Sequence, residues 1–216
     1  MLELDSWLAI AKSAALEAGK YLLINQGKEL KILHDAGRDI KLQLDIDTEN
    51  IIKKNISSQS EFSILGEETG FTDDVGEFYW VVDPLDGTSN FLRDIPISCV
   101  SIALMQNLTP ILGVIYDFNH DDLYFGHQNS KAFLNQEQIS VSDYSEKSQS
   151  TLVTGIPAKT NYSDDEFKNM IDDFQHWKKV RMIGSAAMAA IYVAAGKAET
   201  YKENGIFYGI LQLAQQ

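Results

Sequence analysis

Four stretches of the chain place carboxylates beside segments typical of β-strands, and carboxylates are the usual protein ligands of hard cations. These stretches are 39–47, Gly66-Glu67-Glu68, the run Asp83 to Thr88, and Glu203. The third is the most informative, because the apolar strand Tyr79 to Val82 leads directly into Asp83. Pro84 fixes the turn after that strand. Asp86 then brings a second carboxylate back near the first.

Two carboxylates held close together repel each other unless a cation lies between them. Asp83 and Asp86 have no His or Cys nearby in sequence, and oxygen-only ligands indicate Mg²⁺, Mn²⁺ or Ca²⁺ rather than Zn²⁺. A helix that begins at Ser89 would direct free backbone N–H groups at an anion such as phosphate. A cation site next to an anion site is typical of enzymes that transfer phosphoryl groups, so the pattern indicates that chemistry. The alternative is that this D-x-x-D-G run is a capped turn with no ligand.

Composition and charge restrict the classes of partner. The chain has 216 residues, of which 44% are apolar, as in an ordinary globular protein with a core. Its net charge of −13 disfavours nucleic acid and anionic membranes, whereas metal ions can still bridge it to a small anionic substrate. The apolar runs are strand-sized and the first residues do not resemble a secretory signal. A single cysteine, Cys99, allows no internal disulfide, so we expect a cytoplasmic protein.

The hydrophobic periodicity predicts the elements that must position the carboxylates. Helices are expected over 4–25, 48–57, 163–174 and 185–195, the first capped by Asp5 or Ser6, and a hairpin over 32–44. Strands are expected over 62–65, 78–82, 97–105, 110–116, 123–125, 152–156 and 180–183. The pattern changes near 140–150. It predicts an α+β half that binds metal and phosphate over 1–145 and an α/β substrate half over 146–216.

Several blocks resemble one known family. The run Trp80 to Phe91, WVVDPLDGTSNF, closely resembles the signature of the inositol monophosphatase family. Gly66-Glu67-Glu68 is similar to that family's upstream metal motif, and 39–49 to its early acidic segment. Blocks 113–117 and 184–187 also match, in family order. The resemblance covers about 5–208 and implies the family's layered αβαβα sandwich, of α+β and α/β character.

The resemblance also implies a role for each site residue. A first metal would be held by Glu67, Asp83 and the carbonyl of Leu85. A second would be shared by Asp83, Asp86 and one further aspartate, and Asp45 would reach an outer metal. Glu67 and Thr88 would orient the attacking water, beside Asp83 as the third catalytic residue. The amides of Gly87 and Thr88 would hold phosphate, and the substrate hydroxyls would face Asp86, Ser185, Ala186 and Glu203.

By resemblance, the chain is a Mg²⁺-dependent, homodimeric hydrolase of a small phosphomonoester, with inositol 1-phosphate as the favoured substrate. Fructose 1,6-bisphosphate, histidinol phosphate and 3′-phosphoadenosine 5′-phosphate remain alternatives within the same superfamily. A binding or regulatory protein without turnover is the alternative from another class.

The resemblance breaks in two places. Lys41 and Gln43 stand where the family has a threonine-containing stretch, which bears on the outer metal. After Glu203 the family motif is Trp-Asp-x-Ala-Ala-Gly, but its Trp and its metal-binding Asp fall on Gly209 and Ile210. The chain also stops several dozen residues before family members do, so we expect the last elements of the second half to be missing.

A reading-frame change accounts for the second break. Residues 209–216 can be encoded GGG ATA TTG CAG CTG GCT CAG CAR. One T placed before this run makes it read Trp-Asp-Ile-Ala-Ala-Gly-Ser-Ala. We therefore hypothesise a single-nucleotide deletion after the Tyr208 codon; a naturally diverged terminus is the alternative.

Overall fold

The computed structural model describes residues 3–36, 39–72, 76–156 and 161–203. Within these ranges the helices are α1 (Leu4–Asn25), α2 (Gln43–Ser57), α3 (Thr88–Phe91), α4 (Asp164–Phe174) and α5 (Ala186–Ala194). The first seven strands are β1 (Ile32–Ala36), β2 (Asp39–Leu42), β3 (Ser63–Gly66), β4 (Gly70–Phe71), β5 (Phe78–Asp86), β6 (Cys99–Gln106) and β7 (Thr109–Asp117). The others are β8 (Asp122–His127), β9 (Phe133–Leu134), β10 (Glu137–Gln138), β11 (Thr151–Thr154), β12 (Lys179–Met182) and β13 (Thr200–Lys202).

The strands form a hairpin and two larger sheets. The hairpin pairs β1 with β2, and the large sheet has the order β10-β9-β8-β7-β6-β5-β3-β4. That sheet is mixed, because β3 runs parallel to β5 whereas the other neighbouring strands pair antiparallel. The small sheet, β12-β11-β13, is parallel throughout.

Helices and sheets alternate as layers. Apolar side chains of α1 and α2 pack with one face of the large sheet, around Trp80 and Ile102. Ala187 and Met188 of α5 pack on its opposite face with Cys99. The same helix packs against the small sheet, where Ala189 packs with Val153 of β11. Residues of α4 and β11 together line one cavity. The predicted αβαβα layering is therefore confirmed.

Two helix starts and one helix cap differ from prediction. The second helix begins at Gln43 rather than 48, because the Asp45 carboxylate accepts the backbone N–H of Leu42 and caps the first turn. The first helix starts after Glu3, so the caps expected from Asp5 and Ser6 are wrong. The third begins at Thr88 rather than Ser89 and spans only four residues.

Strand β5 also continues past the predicted end at 82. Two residues of β5, Pro84 and Leu85, separate Asp83 from Asp86, whereas a single residue of β6 separates their partners Ser101 and Cys99, so β5 bulges there. Pro84 lies in the bulge, a position where a strand tolerates the missing N–H. Asp83 and Asp86 therefore both remain part of the sheet.

The two predicted halves each contain one of the larger sheets. The strands of the large sheet lie within 63–138 and those of the small sheet within 151–202. Because α5 packs against both, the boundary at 145/146 stays a prediction. Among the residues that the structure describes, no helix is both long and apolar enough to cross a membrane.

Candidate active site

Glu67 and Asp83 are neighbours because of the parallel register of β3 and β5. Gly66 pairs with Val82, so the residue after each lies at the same edge of the sheet. The amide of Glu67 donates to the Val82 carbonyl at 3.2 Å. The two acidic side chains, 16 residues apart in sequence, are thereby brought to hydrogen-bonding contact.

Asp83 lies at the centre of this acidic group. Burial raises the pKa of its carboxyl well above the usual range, and the charges of Glu67 and Asp86 raise it further. Burial also raises the pKa of Glu67, although its hydrogen bond with Asp83 opposes that shift. Asp83 Oδ1 accepts the Leu85 amide at 3.1 Å, which fixes the orientation of the carboxyl. In the absence of a cation, these carboxyls reduce their repulsion by retaining protons.

Asp86 joins the acidic group to the second half of the chain. Its Oδ2 accepts the Ser185 hydroxyl at 2.5 Å and the Ala187 amide at 2.7 Å. Burial raises the pKa of Asp86, and these donors, with the amides of Ala186 and Gly87, oppose the shift. Ser185 is also the N-cap of α5, where its oxygen accepts the Met188 amide.

The turn after Asp86 places Thr88 beside the acidic group. Gly87 has φ +92°, and a Cβ there would lie 2.8 Å from the Ile97 carbonyl oxygen, so the turn is built for glycine. The Thr88 hydroxyl donates to the Leu85 carbonyl at 3.1 Å. The Asn90 side-chain amide donates to the carbonyls of Ile97 and Ile183 at 2.8 and 2.7 Å. It thereby ties this turn to the loop before Ser185.

Asp45 reaches the site from α2. Its Oδ2 accepts the Leu42 amide at 2.8 Å, while its buried Oδ1 has no hydrogen-bond partner among the described residues. Burial raises the pKa of Asp45 to about 7; the Leu42 amide opposes the shift, and the charges of Glu68 and Glu67 reinforce it. A buried carboxylate oxygen that accepts no hydrogen bond and lies near other acids is a favourable ligand for a cation.

Glu203 lies at the end of β13, near the carboxyl end of β11. The Tyr201 hydroxyl donates to its Oε2. Burial raises the pKa of Glu203, and the charge of Asp86 raises it further. The two acids are therefore close enough to interact electrostatically. Glu203, Gly155 and Lys202 line a cavity of about 230 Å³. The position expected to supply the further aspartate, Ile210, lies outside the described residues.

The residues present fit an oxygen-ligated divalent cation by their chemistry. The donors are carboxylates and a backbone carbonyl, and Cys99 is no competing thiolate because burial raises its pKa well above the usual range. In the described parts of the chain, however, no three His, Cys, Asp or Glu side chains already form a closed cage. Asp83 and Glu67 contact each other, and Asp86 contacts Ser185, so cation binding requires these side chains to reorient.

Two polar residues near the site received no binding role from the sequence, although Lys41 was noted there as a departure from the family pattern. Glu49 on α2 is fully buried beneath the Glu67 turn, and Lys41 Nζ lies 3.0 Å from Glu68 Oε2. The available signal for Glu49 was its position four residues after Asp45, which places both on one helix face. It was not recognised because helix α2 was expected to begin at 48.

The chain is similar in sequence to known proteins. A model of the inositol monophosphatase family matches residues 3–208. Nus factor SuhB of Xylella fastidiosa is 35% identical over 201 residues, covering 91% of this chain and 73% of that protein. An inositol-1-monophosphatase of Synechocystis sp. is 35% identical over 215 residues, covering 94% and 72%.

A solved structure extends the likeness to three dimensions. The extragenic suppressor protein suhB of Bartonella henselae superposes with a TM-score of 0.86 at 28% identity, covering 95% of this chain and 81% of that one. The family model, the sequence relatives and the fold agree, and the chain therefore belongs to the inositol monophosphatase family, a family of phosphomonoester hydrolases.

Proposed function

We propose that this chain is a Mg²⁺-dependent phosphatase that hydrolyses a small phosphomonoester, with inositol 1-phosphate as the preferred substrate. The observation that carries the proposal is the register of β3 and β5, which brings Glu67 and Asp83 together beside Thr88. Family membership supports the reaction class, and the chemistry of the site residues supports the cation and the substrate.

The residues that would hold Mg²⁺ are those that the resemblance implies. Glu67, Asp83 and the Leu85 carbonyl would form one site. Asp83 and Asp86 would form another, and Asp45 would serve an outer position through its unpartnered Oδ1. When bound, Mg²⁺ would supply positive charge that neutralises phosphate and lowers the pKa of the attacking water.

Glu67 and Thr88 would orient that water. Because the Thr88 hydroxyl donates its hydrogen to the Leu85 carbonyl, its oxygen lone pairs are available to accept from a water molecule. The amides of Gly87 and Thr88 open α3, and the first amides of a helix have no partner within it. These N–H groups would hold the phosphate oxygens.

The substrate side favours a polyol. Asp86 and Glu203 lie within electrostatic reach of each other, and ionised carboxylates can accept several hydroxyl hydrogens. The Ser185 hydroxyl and the start of α5 at Ala186 would complete this side. Inositol 1-phosphate presents hydroxyls to such acceptors and a single phosphate to Gly87 and Thr88.

Phosphate release over a substrate panel tests the function. The panel contains inositol 1-phosphate, fructose 1,6-bisphosphate, histidinol phosphate and 3′-phosphoadenosine 5′-phosphate, each with and without Mg²⁺. We expect Mg²⁺-dependent release, fastest with inositol 1-phosphate. Asp83→Asn should abolish it without loss of folding stability, because it removes a repelled, buried carboxyl.

Three results would contradict parts of this proposal. Near-full turnover by Asp83→Asn at saturating Mg²⁺ would show that the site is assigned wrongly. Faster release from another member of the panel would transfer the substrate assignment to it. Mg²⁺ binding in calorimetry without any phosphate release would favour a non-catalytic binding protein. Sedimentation of the same sample tests the homodimer that we propose by resemblance.

A further inference from the structure

Glu49 lies beneath the turn that carries Glu67. It is one helical turn after Asp45 on α2 and has no exposed surface. Its Oε2 accepts the backbone amide of Glu68 at 2.8 Å, and its Oε1 accepts the Thr69 hydroxyl at 2.5 Å. Both carboxylate oxygens therefore accept hydrogen bonds from the turn rather than from solvent.

A counter-ion accompanies this buried carboxylate. Lys53, a further helical turn along α2, places Nζ 2.9 Å from Glu49 Oε1. The same ammonium donates to Thr69 Oγ1 and lies 3.5 Å from the Gly70 carbonyl oxygen. A buried ion pair stabilises a fold little compared with apolar packing, so its contribution here is better explained by the geometry that it imposes.

Strand β3 is shaped around Glu49. A Cβ at Gly66 would lie 2.3 Å from the Glu49 carboxyl carbon, closer than atoms can approach. Glycine at 66 therefore allows the carboxylate to lie directly against the backbone that leads into Glu67. The close approach indicates that this contact is specific.

The consequence concerns the two peptide groups that flank Glu67. The amide of Glu67 is held by the Val82 carbonyl, and the amide of Glu68 is held by Glu49. With both peptide planes fixed, the direction of the Glu67 Cα–Cβ bond is fixed as well.

We propose that Glu49 is a positioning residue: its carboxylate, paired with Lys53, holds the peptide after Glu67 and thereby directs the Glu67 carboxylate toward the cation. This inference rests on the proposed function, because it assumes that Glu67 binds Mg²⁺. It assigns Glu49 no contact with substrate or metal.

The test compares two buried carboxylates that each hold a turn. Glu49→Gln leaves one acceptor oxygen for two donors and removes the charge opposite Lys53. Asp117→Asn is the matched control, because Asp117 is 3% exposed, accepts the Asn119 amide at 3.1 Å and pairs with His120. Mg²⁺ affinity is measured by calorimetry, and amide exchange over 66–69 by mass spectrometry of the metal-free chain.

We expect Glu49→Gln to weaken Mg²⁺ binding by about 10-fold or more, the usual scale for residues that orient a metal ligand. Amide exchange at Glu68 should be faster than in the parent chain. Asp117→Asn should lose folding stability but change neither readout. If Glu49→Gln does not fold, Thr69→Val removes one of the two bonds, keeps the ion pair, and should weaken Mg²⁺ binding in the same direction.

The outcomes separate the two proposals. A parent chain that binds Mg²⁺ and releases phosphate, with a Glu49→Gln variant of equal Mg²⁺ affinity, overturns the positioning role alone. Unchanged exchange at Glu68 overturns it as well, whether or not metal binds. A parent chain that neither binds Mg²⁺ nor releases phosphate overturns the proposed function, and with it the purpose assigned to Glu49.

Discussion

Burial destabilises the ionised form of three carboxyls in the site, those of Asp83, Glu67 and Asp45, and a bound cation would stabilise it. Burial raises the pKa of all three carboxyls, and their neighbours' charges reinforce the shift. The carboxyls of the metal-free site therefore retain their protons to higher pH than free carboxyls do. Because ligands must lose protons to bind a metal, we expect Mg²⁺ binding to release protons and to strengthen as pH rises.

The pH dependence of folding stability tests the state of Asp45. Burial raises the pKa of its carboxyl from the ordinary aspartate value of 3.8 to about 7 in the folded chain. A raised carboxyl pKa contributes stability that is complete below the unfolded pKa and is lost as pH rises through the folded value. The free energy of unfolding of the metal-free chain should thus fall between about pH 4 and pH 7.

Asp45→Asn isolates this contribution, since asparagine can still accept the Leu42 amide but carries no charge. Urea unfolding at intervals across that range should give the variant a shallower decline than the parent chain. Buried acids that do not interact with Asp45 contribute equally to both proteins. Parallel curves would show that Asp45 does not titrate in this window.

Thr88 is expected to act on the reaction step rather than on substrate binding. Thr88→Ala keeps the backbone amide that would hold phosphate but removes the hydroxyl oxygen that would accept from water. We expect kcat to fall about 100-fold, the usual scale for a lost proton-positioning group, with little change in KM. Steady-state kinetics at saturating Mg²⁺ gives both constants. A raised KM with unchanged kcat would assign Thr88 to binding only.

Among elements, the carboxyl end of β5 and the turn into α3 determine the site. The Pro84 bulge keeps Asp83 and Asp86 in the sheet, and Gly87 then reverses the chain so that Thr88 begins α3. This reversal depends on two properties of glycine: its positive φ and its close approach to the Ile97 carbonyl. A substitution should therefore cost more here than positive φ alone explains.

Gly27 provides the comparison for that prediction. It has φ +72° after α1, but a Cβ there would meet nothing within 4 Å. Gly27→Ala should lose about 1–2 kcal/mol of unfolding free energy from backbone strain alone and keep phosphatase activity. Gly87→Ala should lose clearly more and should also lose activity. Equal stability losses in urea titrations would show that the approach to Ile97 is relaxed at no cost.

At the scale of the whole molecule, the second half has less packing than the first. Helix α4 is amphipathic but has no buried residue, and Phe167 and Ile171 on it are exposed. Exposed apolar surface favours self-association. If residues 209–216 are out of frame, as hypothesised, the chain should be less stable, self-associate more and hydrolyse slowly even with saturating Mg²⁺.

Sequencing the source gene through the Tyr208 codon tests that hypothesis, together with expression of a gene in which one T is restored. We expect a Trp-Asp-Ile-Ala-Ala-Gly reading frame, higher Mg²⁺-dependent activity and less self-association in sedimentation. Full activity of the 216-residue chain would contradict the hypothesis.

Local patterns were sufficient for most elements and for the type of chemistry. The apolar period of α1 predicted its bounds, and the Asp83 to Thr88 run predicted acidic groups at a strand end. The capping box of Ser163 and Glu166, which starts α4 in the structure, is likewise a local pattern. These features could be read because helix caps, periodicity and turns depend on residues a few positions apart.

Only the tertiary structure decided which distant residues meet. No local pattern indicates the parallel pairing of β3 with β5 or the bond between Ser185 and Asp86 across 99 residues. The spacing of Glu49 from Asp45 indicates a shared helix face, but not that Glu49 packs against Gly66. Even the start of α2 depends on one side chain, because the Asp45 carboxylate accepts the backbone N–H of Leu42 and so caps the first turn. Sequence by itself determined the elements and the acidic chemistry, because those depend on near neighbours. Strand order and burial decided the geometry, because they depend on contacts between segments far apart in the chain.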